Sequence, residues 1–256
     1  MYALITGATS GIGRAMAYLL AEKAYDLLLV ARNEKNLKDL QTTLEETYNV
    51  KVQVQSVDVT KFIELNQLID YIAEEKKQID LFVNNAGVGF FGDFGQMSEE
   101  EDLVAIDTNI RGFTYLTKKV YPYLHSGSRV LQVASTAAFA PGPYMAVYYA
   151  SKAYVLSLSM ALRNEWKDKG IQVSILCPGP TKTDFIQKAR MHKSGLAKLS
   201  AMTPEAVAHI GYKGLMKNKA IIIPGFTNKL SACALTLLPI RVSTLLVRST
   251  QKNESK

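Results

Sequence analysis

Short runs rich in Val, Ile and Leu alternate along this 256-residue chain with amphipathic segments of helical length. Such runs are typical of buried strands, whereas the segments between them place apolar residues at helical spacing. Strands that are separated by helices pair in parallel, and the helices cover both faces of one sheet. Strands are therefore predicted near residues 2–6, 26–31, 51–57, 79–84, 128–134, 171–177 and 220–223. The predicted fold class is α/β: a doubly wound, Rossmann-like, mostly parallel sheet of about seven strands.

No linker, repeat or low-complexity segment divides the sequence, so we expect a single domain over residues 1–248. Residues from about 184 to 202 are predicted to form a helical lid over a substrate, and residues 249–256 a polar tail. Apolar residues make up 48% of the chain and charged residues 21%, values that exclude disordered and fibrous proteins.

The net charge of +7 comes from scattered lysines and arginines rather than from a dense basic run. This pattern predicts a solvated basic surface and no nucleic-acid partner. Only two cysteines occur, Cys177 and Cys233, which favours a reducing compartment. The first predicted strand directly follows Met1 with no signal peptide between them, so we expect a cytoplasmic protein. The three histidines lack acidic or cysteine companions at ligand spacing, and no metal site is predicted.

The most apolar part of the chain runs from residue 230 to residue 247 and is interrupted by Pro239 and Arg241. These two residues make a membrane-spanning helix a poor interpretation. We expect the segment to pack over a substrate pocket or against a second subunit, in a homodimer or homotetramer. Peripheral contact with a membrane, through an interfacial helix, is the alternative.

A glycine-rich turn follows the first predicted strand, where the sequence reads TGATSGIG before a helical apolar spacing begins. Glycines at a strand-to-helix turn let the backbone approach a pyrophosphate, and the helix N-terminus offers unpaired N–H groups. The turn therefore predicts a dinucleotide site rather than a simple tight turn. Its candidate cofactor-binding residues are Thr6, Gly7, Thr9, Ser10, Gly11, Ile12 and Gly13.

The second predicted strand ends in Ala31 and Arg32, where NAD-binding chains of this type carry an acidic residue for the ribose 2′-hydroxyl. An arginine at this place favours the 2′-phosphate of NADP, and Arg14 could add a second positive charge. The cofactor is therefore predicted to be NADP(H). The alternative is that Arg32 only covers exposed chain.

Tyr148 and Lys152 are four residues apart in a predicted helix, and Ser135 ends the fifth predicted strand. Residues at positions i and i+4 share one face of a helix, so the lysine ammonium is expected to lower the pKa of the tyrosine phenol. Tyr148 is then the proton donor, Lys152 the group that adjusts its pKa, and Ser135 a hydrogen-bond donor to the substrate oxygen. Tyr149 and Tyr144 are competitors for the role of Tyr148.

With TGATSGIG, the turn Asn84-Asn85-Ala86-Gly87, Ser135 and Tyr148-x-x-x-Lys152 in this order, the chain resembles the short-chain dehydrogenase/reductase family from residue 2 to about residue 185. The resemblance implies that Asn109 anchors a water-linked proton relay, and that Lys152 grips the nicotinamide ribose. It also implies further contacts with the cofactor. These would come from Asp58 and Val59 at the adenine end, from Asn85, Ala86 and Gly87, and from Pro178, Gly179, Thr181 and Thr183 around the nicotinamide.

The function expected from these residues and from the resemblance is NADPH-dependent reduction of a carbonyl, or oxidation of the matching secondary alcohol. Apolar and aromatic residues near the trio favour a hydrophobic small molecule. Lys188, Arg190, His192 and Lys193 in the predicted lid would suit an acyl thioester with an anionic carrier. A non-catalytic, NADP-binding regulatory protein of the same fold is the alternative.

Overall fold

The computed structural model describes residues 1–185, 189 and 201–251. Its strands are β1 (Tyr2–Thr6), β2 (Asp26–Ala31), β3 (Val52–Ser56), β4 (Ile79–Asn84), β5 (Leu124–Val133), β6 (Gln172–Leu176) and β7 (Ile221–Ile222). Its α-helices are α1 (Gly11–Glu22), α2 (Glu34–Thr47), α3 (Phe62–Glu75), α4 (Glu99–Ile106), α5 (Phe113–Val120), α6 (Ala146–Glu165), α7 (Pro204–Met216), α8 (Phe226–Leu237) and α9 (Ile240–Gln251). A π-helical turn, Asp107–Gly112, joins α4 to α5.

The seven strands form one sheet in the order β3-β2-β1-β4-β5-β6-β7, and every pairing is parallel. The predicted fold class is therefore confirmed. The strand β5 begins at Leu124, four residues before its predicted start. The prediction missed these residues because the sequence after Leu124 is polar and its pairing with β4 is irregular. Ser128 stabilises this irregular start: its hydroxyl donates to the Ile79 carbonyl at 2.7 Å and accepts from the His125 amide at 2.9 Å.

Helices cover both faces of the sheet, so the central strands are buried completely. On one face the side chains of Ile5 and Leu29 pack with α1, α2 and α7. On the other face Leu4 and Leu28 pack with α3 and α5. Neighbouring residues of a strand point to opposite faces, which explains why β1 reads as a continuous apolar run rather than an alternating one.

The strand order reverses between β1 and β4. At such a switch point the connections leave toward opposite sides, and a crevice opens at the carboxyl ends of the two strands. The glycine-rich turn after β1 and the Asn85 turn after β4 both lie at this edge. The topology therefore brings together two motifs that are separated by almost eighty residues in the sequence.

The C-terminal region differs in detail from the prediction. The apolar stretch 230–247 forms parts of two helices, α8 and α9, because the chain turns at Leu238 and Pro239. Helix α9 continues to Gln251, so residues 249–251, assigned to a polar tail from the sequence, are helical. Among the described residues no helix is both long enough and apolar enough to cross a bilayer. Most of the predicted lid, 184–202, lies outside the described residues, as do residues 252–256.

Candidate active site

The glycine-rich turn leaves β1 with Gly7 at φ +63° and enters α1 with Gly11 at φ +52°. Both values lie in the left-handed region, where glycine pays no steric cost. Gly13 is needed for a different reason, since a Cβ there would lie 2.2 Å from the carbonyl oxygen of Gly7. Ser10 caps α1 without a side-chain hydrogen bond, so the first N–H groups of the helix have no side-chain partner there.

A buried hydrogen-bond network holds the turn after β1 against the turn after β4. The Thr6 hydroxyl accepts from the backbone amides of Asn85, at 2.9 Å, and Ala86, at 3.0 Å. The Asn85 side chain donates to the carbonyls of Thr6, at 3.0 Å, and Gly7, at 3.2 Å. Thr6 is fully buried and therefore shapes the crevice without reaching it. Asn85 therefore has two roles: its side chain donates hydrogen bonds to these backbone carbonyls, and it also lines the crevice.

Asn109 lies in the π-helical turn and is almost completely buried. Its Oδ1 accepts from the Val88 amide at 2.9 Å, and its Nδ2 donates to the Val88 carbonyl at 2.7 Å and to Ser151 Oγ at 3.0 Å. The side chain thus fixes the loop after β4 to α6, the helix that carries Tyr148. Short π-helical segments recur at functional sites because they redirect one side chain out of the α-helical pattern. The predicted proton relay through Asn109 stays a prediction.

Ser135, Tyr148 and Lys152 line one cavity together with the glycine-rich turn. The cavity has a volume of about 260 Å³. The Ser135 hydroxyl accepts from the Ala137 amide at 3.1 Å and faces the Pro178 carbonyl at 3.4 Å. The Lys152 ammonium lies 5.8 Å from the centre of the Tyr148 ring and donates to the Val133 carbonyl at 3.1 Å. The structure therefore brings the three predicted catalytic residues to one place.

The ionisation of Tyr148 and Lys152 differs from the sequence-based expectation. Removal from water raises the pKa of Tyr148 to about 12, and the nearby Ser135 hydroxyl lowers it only in part. Burial lowers the pKa of Lys152 to about 8. The expected lowering of the phenol pKa by Lys152 is thus wrong for this structure, because desolvation disfavours the charged form of each group. The phenol keeps its proton at neutral pH.

Tyr149 and Tyr144 do not share the position of Tyr148. The Tyr149 hydroxyl accepts a 2.7 Å hydrogen bond from the side chain of Gln251 in α9. Tyr144, at φ +66°, belongs to the loop before α6, where its carbonyl accepts from the Gly92 amide at 2.9 Å.

Several residues that line or support the cavity were not identified from the sequence. The Phe185 ring centre lies 5.4 Å from that of Tyr148, Met145 lines the cavity, and Gln251 supports its wall through Tyr149. Ser151 links Asn109 to the carbonyl of Tyr148. Contacts made by Ser151 and Gln251 depend on tertiary packing and carry no local sequence signal.

The predicted cofactor residues divide into two groups by their position. Those that line the cavity, besides Tyr148 and Lys152, are Gly7, Ser10, Gly11, Ile12, Asn85, Ala86, Gly87, Pro178, Gly179, Thr181 and Thr183. Those outside its lining are Thr6, Thr9, Gly13, Arg32, Asp58 and Val59. Thr9 lines a neighbouring cavity of about 570 Å³ together with Arg14 and Lys182.

Three of the outlying residues follow the strands β2 and β3. Arg32 is exposed directly after β2, at the carboxyl edge of the sheet. The Asp58 carboxylate accepts from the amide and hydroxyl of Thr60, at 3.0 and 2.8 Å, and so shapes the turn before α3. The carbonyl of Val59 lies against Gly112, where a Cβ would come within 2.2 Å. The Asp58 and Val59 contacts are structural, whereas the Arg32 side chain makes no ion pair with the residues described here.

The crevice has the features that a dinucleotide requires. Its floor is a glycine cradle in which a Cβ at Gly7 or Gly13 would collide with Asn85 or with backbone. The N-terminus of α1 points a partial positive charge at this cradle, which suits a pyrophosphate. The same cavity is lined by Ser135, Tyr148 and Lys152. The residues therefore fit a nicotinamide dinucleotide.

Comparisons with known proteins agree with this geometry. Residues 1–194 match the short chain dehydrogenase family. Sulfoacetaldehyde reductase 2 of Chromohalobacter salexigens is 34% identical over 189 residues, 71% of this chain and 73% of that protein. The structure of a short-chain dehydrogenase from Sphingobium yanoikuyae in complex with NADPH is 28% identical, with a TM-score of 0.82 and coverage of 91% and 92% of the two chains.

A third similarity is to a bulky-bulky ketone specific alcohol dehydrogenase from Comamonas testosteroni. It is 27% identical, with a TM-score of 0.76 and 92% coverage of each chain. The family match covers well over half of the chain, and the similar structures cover nearly all of it. This chain therefore belongs to the short chain dehydrogenase family and is an oxidoreductase that acts on CH–OH and C=O groups.

Proposed function

We propose that this protein reduces the carbonyl group of a hydrophobic small molecule with NADPH. The observation that carries the proposal is the convergence of Ser135, Tyr148 and Lys152 on one cavity with the glycine-rich turn. A proton donor, a hydrogen-bond donor and a dinucleotide cradle are the parts that carbonyl reduction needs. Reduced nicotinamide supplies a hydride to the carbonyl carbon when it is bound.

Tyr148 is the proposed proton donor to the carbonyl oxygen. A phenol with a pKa of about 12 carries its proton throughout the physiological pH range, so the acid form is present at neutral pH. Oxidation of an alcohol would require the phenolate, which is scarce under these conditions. The form of Tyr148 that predominates at neutral pH is therefore the one that carbonyl reduction uses.

Ser135 and Lys152 assist this proton transfer in different ways. The Ser135 hydroxyl lies in the same cavity wall and is placed to hold the substrate oxygen beside the phenol. Charge that develops on the phenol oxygen as the proton leaves is stabilised by the Lys152 ammonium, 5.8 Å from the Tyr148 ring centre. Gly87 lies close to the ammonium, since a Cβ there would be 3.2 Å from Lys152 Nζ. Lys152 is also the proposed contact for the nicotinamide ribose.

Arg32 is the proposed contact for the 2′-phosphate that distinguishes NADPH from NADH. Its support is the exposed position after β2, together with the NADPH bound by the S. yanoikuyae relative. Replacement of Arg32 by Ala should weaken NADPH binding about tenfold or more and leave NADH binding unchanged. Lys35→Ala, at an exposed cation in the first turn of α2, is the matched control. Equal losses for both cofactors, or a loss in the control, would refute this assignment.

The substrate class follows from the walls of the cavity. Val133, Met145, Tyr149 and Phe185 line it beside the catalytic residues, and these are mostly apolar. The related Comamonas enzyme is named for bulky ketones, which supports a hydrophobic carbonyl compound. The basic residues that suggested an acyl thioester, at positions 188–193, lie outside the described residues, so this refinement stays a prediction.

One assay distinguishes the enzyme from its regulatory alternative. NADPH consumption should be measured with a panel of aromatic ketones, 3-ketoacyl thioesters, sugars and steroids. We expect turnover with at least one hydrophobic ketone and none for Tyr148→Phe with the same substrate. Binding of NADPH without turnover across the whole panel would instead favour the NADP-binding regulatory protein. The predicted homodimer or homotetramer can be checked on the same preparation by light scattering.

A further inference from the structure

Helix α8 presents its large apolar side chains to the outside of the molecule. Phe226, Leu230 and Leu237 are 82%, 62% and 81% exposed. Their spacing of four and seven residues places them on one face of the helix, with exposed Cys233 between Leu230 and Leu237. The inner face is made of smaller residues, of which Ala232 is buried. A surface helix whose outer side contacts water normally carries its large apolar residues on the inner side, so the distribution in α8 is the reverse of the usual one.

Helix α9 continues the same surface. Its inner positions, Ser243, Val247 and Gln251, are buried, whereas Ile240 and Leu245 are 68% and 62% exposed. Val242 and Leu246 are also exposed. We call the exposed residues of α8 and α9, together with the turn at Leu238 and Pro239, the apolar face. Exposed apolar patches on this scale mark sites of contact with a partner or a membrane.

The charged residues of the segment 206–251, which carries the apolar face, have one sign. This segment contains six lysines and arginines and no aspartate or glutamate. All six are exposed, and they are Lys213, Lys217, Lys219, Lys229, Arg241 and Arg248. The first four line an apolar groove of about 510 Å³ between α7, β7 and α8. An apolar groove with a rim of ammonium groups has the chemistry to receive acyl chains and anionic headgroups.

The inner side of the same two helices lies over the catalytic cavity. Asn228 of α8 packs on the backbone of Gly179, where a Cβ would lie 2.4 Å from its Oδ1. Gln251 of α9 donates to the hydroxyl of Tyr149, a cavity-lining residue. The apolar face is therefore the outer surface of the structure that covers the active site.

We propose that the apolar face docks on the surface of an anionic lipid bilayer. The exposed side chains would enter the boundary between headgroups and acyl chains, and the six cations would meet anionic headgroups. A second copy of the chain is a poorer occupant. Two such faces in a symmetric contact would set six cations against six cations, and the segment 206–251 supplies no acidic residue to pair with them.

Co-sedimentation of the full chain with vesicles tests this proposal. Vesicles of phosphatidylcholine mixed with an equal part of phosphatidylglycerol should carry the protein into the pellet, and phosphatidylcholine alone should not. The double substitution Leu237→Glu with Leu245→Glu should lower the bound fraction at least tenfold. Replacement of Lys213, Lys217, Lys219 and Lys229 by Gln should lower it without any change in apolar surface.

Ile63→Glu on α3 is the matched control, since Ile63 is 75% exposed on a different helix and should leave vesicle binding unchanged. Thermal unfolding of each variant should match that of the parent, which separates loss of docking from loss of the fold. No sedimentation by the parent protein, or equal sedimentation with neutral vesicles, overturns the proposal. So does a dimer in solution that the Leu237 and Leu245 substitutions convert to a monomer, because a second copy would then cover the face.

Discussion

Replacement of Lys152 by Met should make the protein more stable while it removes activity. Lys152 is 5% exposed, and its ammonium makes no ion pair with a described carboxylate. Burial lowers its pKa from 10.5 to about 8. A difference of roughly 2.5 pKa units corresponds to a cost of about 3 kcal/mol for the charged form in the folded protein. Loss of the hydrogen bond to the Val133 carbonyl should cost about 1 kcal/mol. The free energy of unfolding of Lys152→Met should therefore exceed that of the parent by about 2 kcal/mol.

The pH dependence of this gain identifies its cause. Between about pH 8 and 10.5 the unfolded chain binds a proton at Lys152 that the folded protein has released. The free energy of unfolding of the parent protein therefore rises with pH over that window. Below the window the full cost of burying the charged ammonium is present. The difference between Lys152→Met and the parent should be largest near pH 7 and should shrink toward pH 10.

Urea unfolding of the cofactor-free protein at these two pH values measures the effect. Groups that do not interact with Lys152 titrate alike in both proteins and cancel in the difference between them. Lys118→Met, at an exposed position of α5, should change the free energy of unfolding by less than about 0.5 kcal/mol at either pH. A Lys152→Met protein that is less stable than its parent near pH 7, or a difference that does not vary with pH, would show that the buried ammonium carries no such cost.

Three further predictions concern the site. Tyr148→Phe should lower kcat by about a thousandfold or more and leave the NADPH dissociation constant unchanged, as measured by fluorescence titration; retention of most turnover would contradict its role as acid. Gly13→Ala should abolish cofactor binding and lower Tm, because the new Cβ would lie 2.2 Å from the Gly7 carbonyl oxygen. Normal NADPH binding by this variant would show that the turn can move to accommodate the Cβ. Asn109→Ala should lower the free energy of unfolding, measured by urea denaturation, by about 2 kcal/mol, because the Val88 amide and carbonyl lose their hydrogen-bond partners. A decrease below about 0.5 kcal/mol would show that water replaces these hydrogen bonds.

The sheet and the catalytic trio could be predicted because their signals are local. Strands buried on both faces read as apolar runs, so β1, β2 and β4 are visible within a few residues of their true ends. The glycine-rich turn is recognisable because glycine adopts the left-handed backbone of positions 7 and 11 without steric strain. Tyr148 and Lys152 are linked by helical spacing alone. In each case the physical cause lies within a short stretch of chain.

The ionisation of the site could not be predicted, because it depends on burial. Helical spacing places a cation beside Tyr148 but says nothing of how much water surrounds either group. The contact between Gln251 and Tyr149 spans 102 residues and has no sequence pattern. Asn109 shows a further limit: its side-chain hydrogen bonds to Val88 and Ser151 could not be read from the sequence, and its role in a proton relay stays a prediction.

The opposite pKa shifts of Tyr148 and Lys152 have one cause, and that cause suits reduction. Desolvation keeps the phenol protonated, so the proton is available before the reaction begins. The same desolvation makes the ammonium costly to bury in the resting protein, but it also strengthens the attraction between that ammonium and negative charge nearby. Negative charge appears at the phenol oxygen only as the proton leaves. The buried ammonium thus destabilises the resting protein but stabilises the transition state, which is where a catalytic group must act.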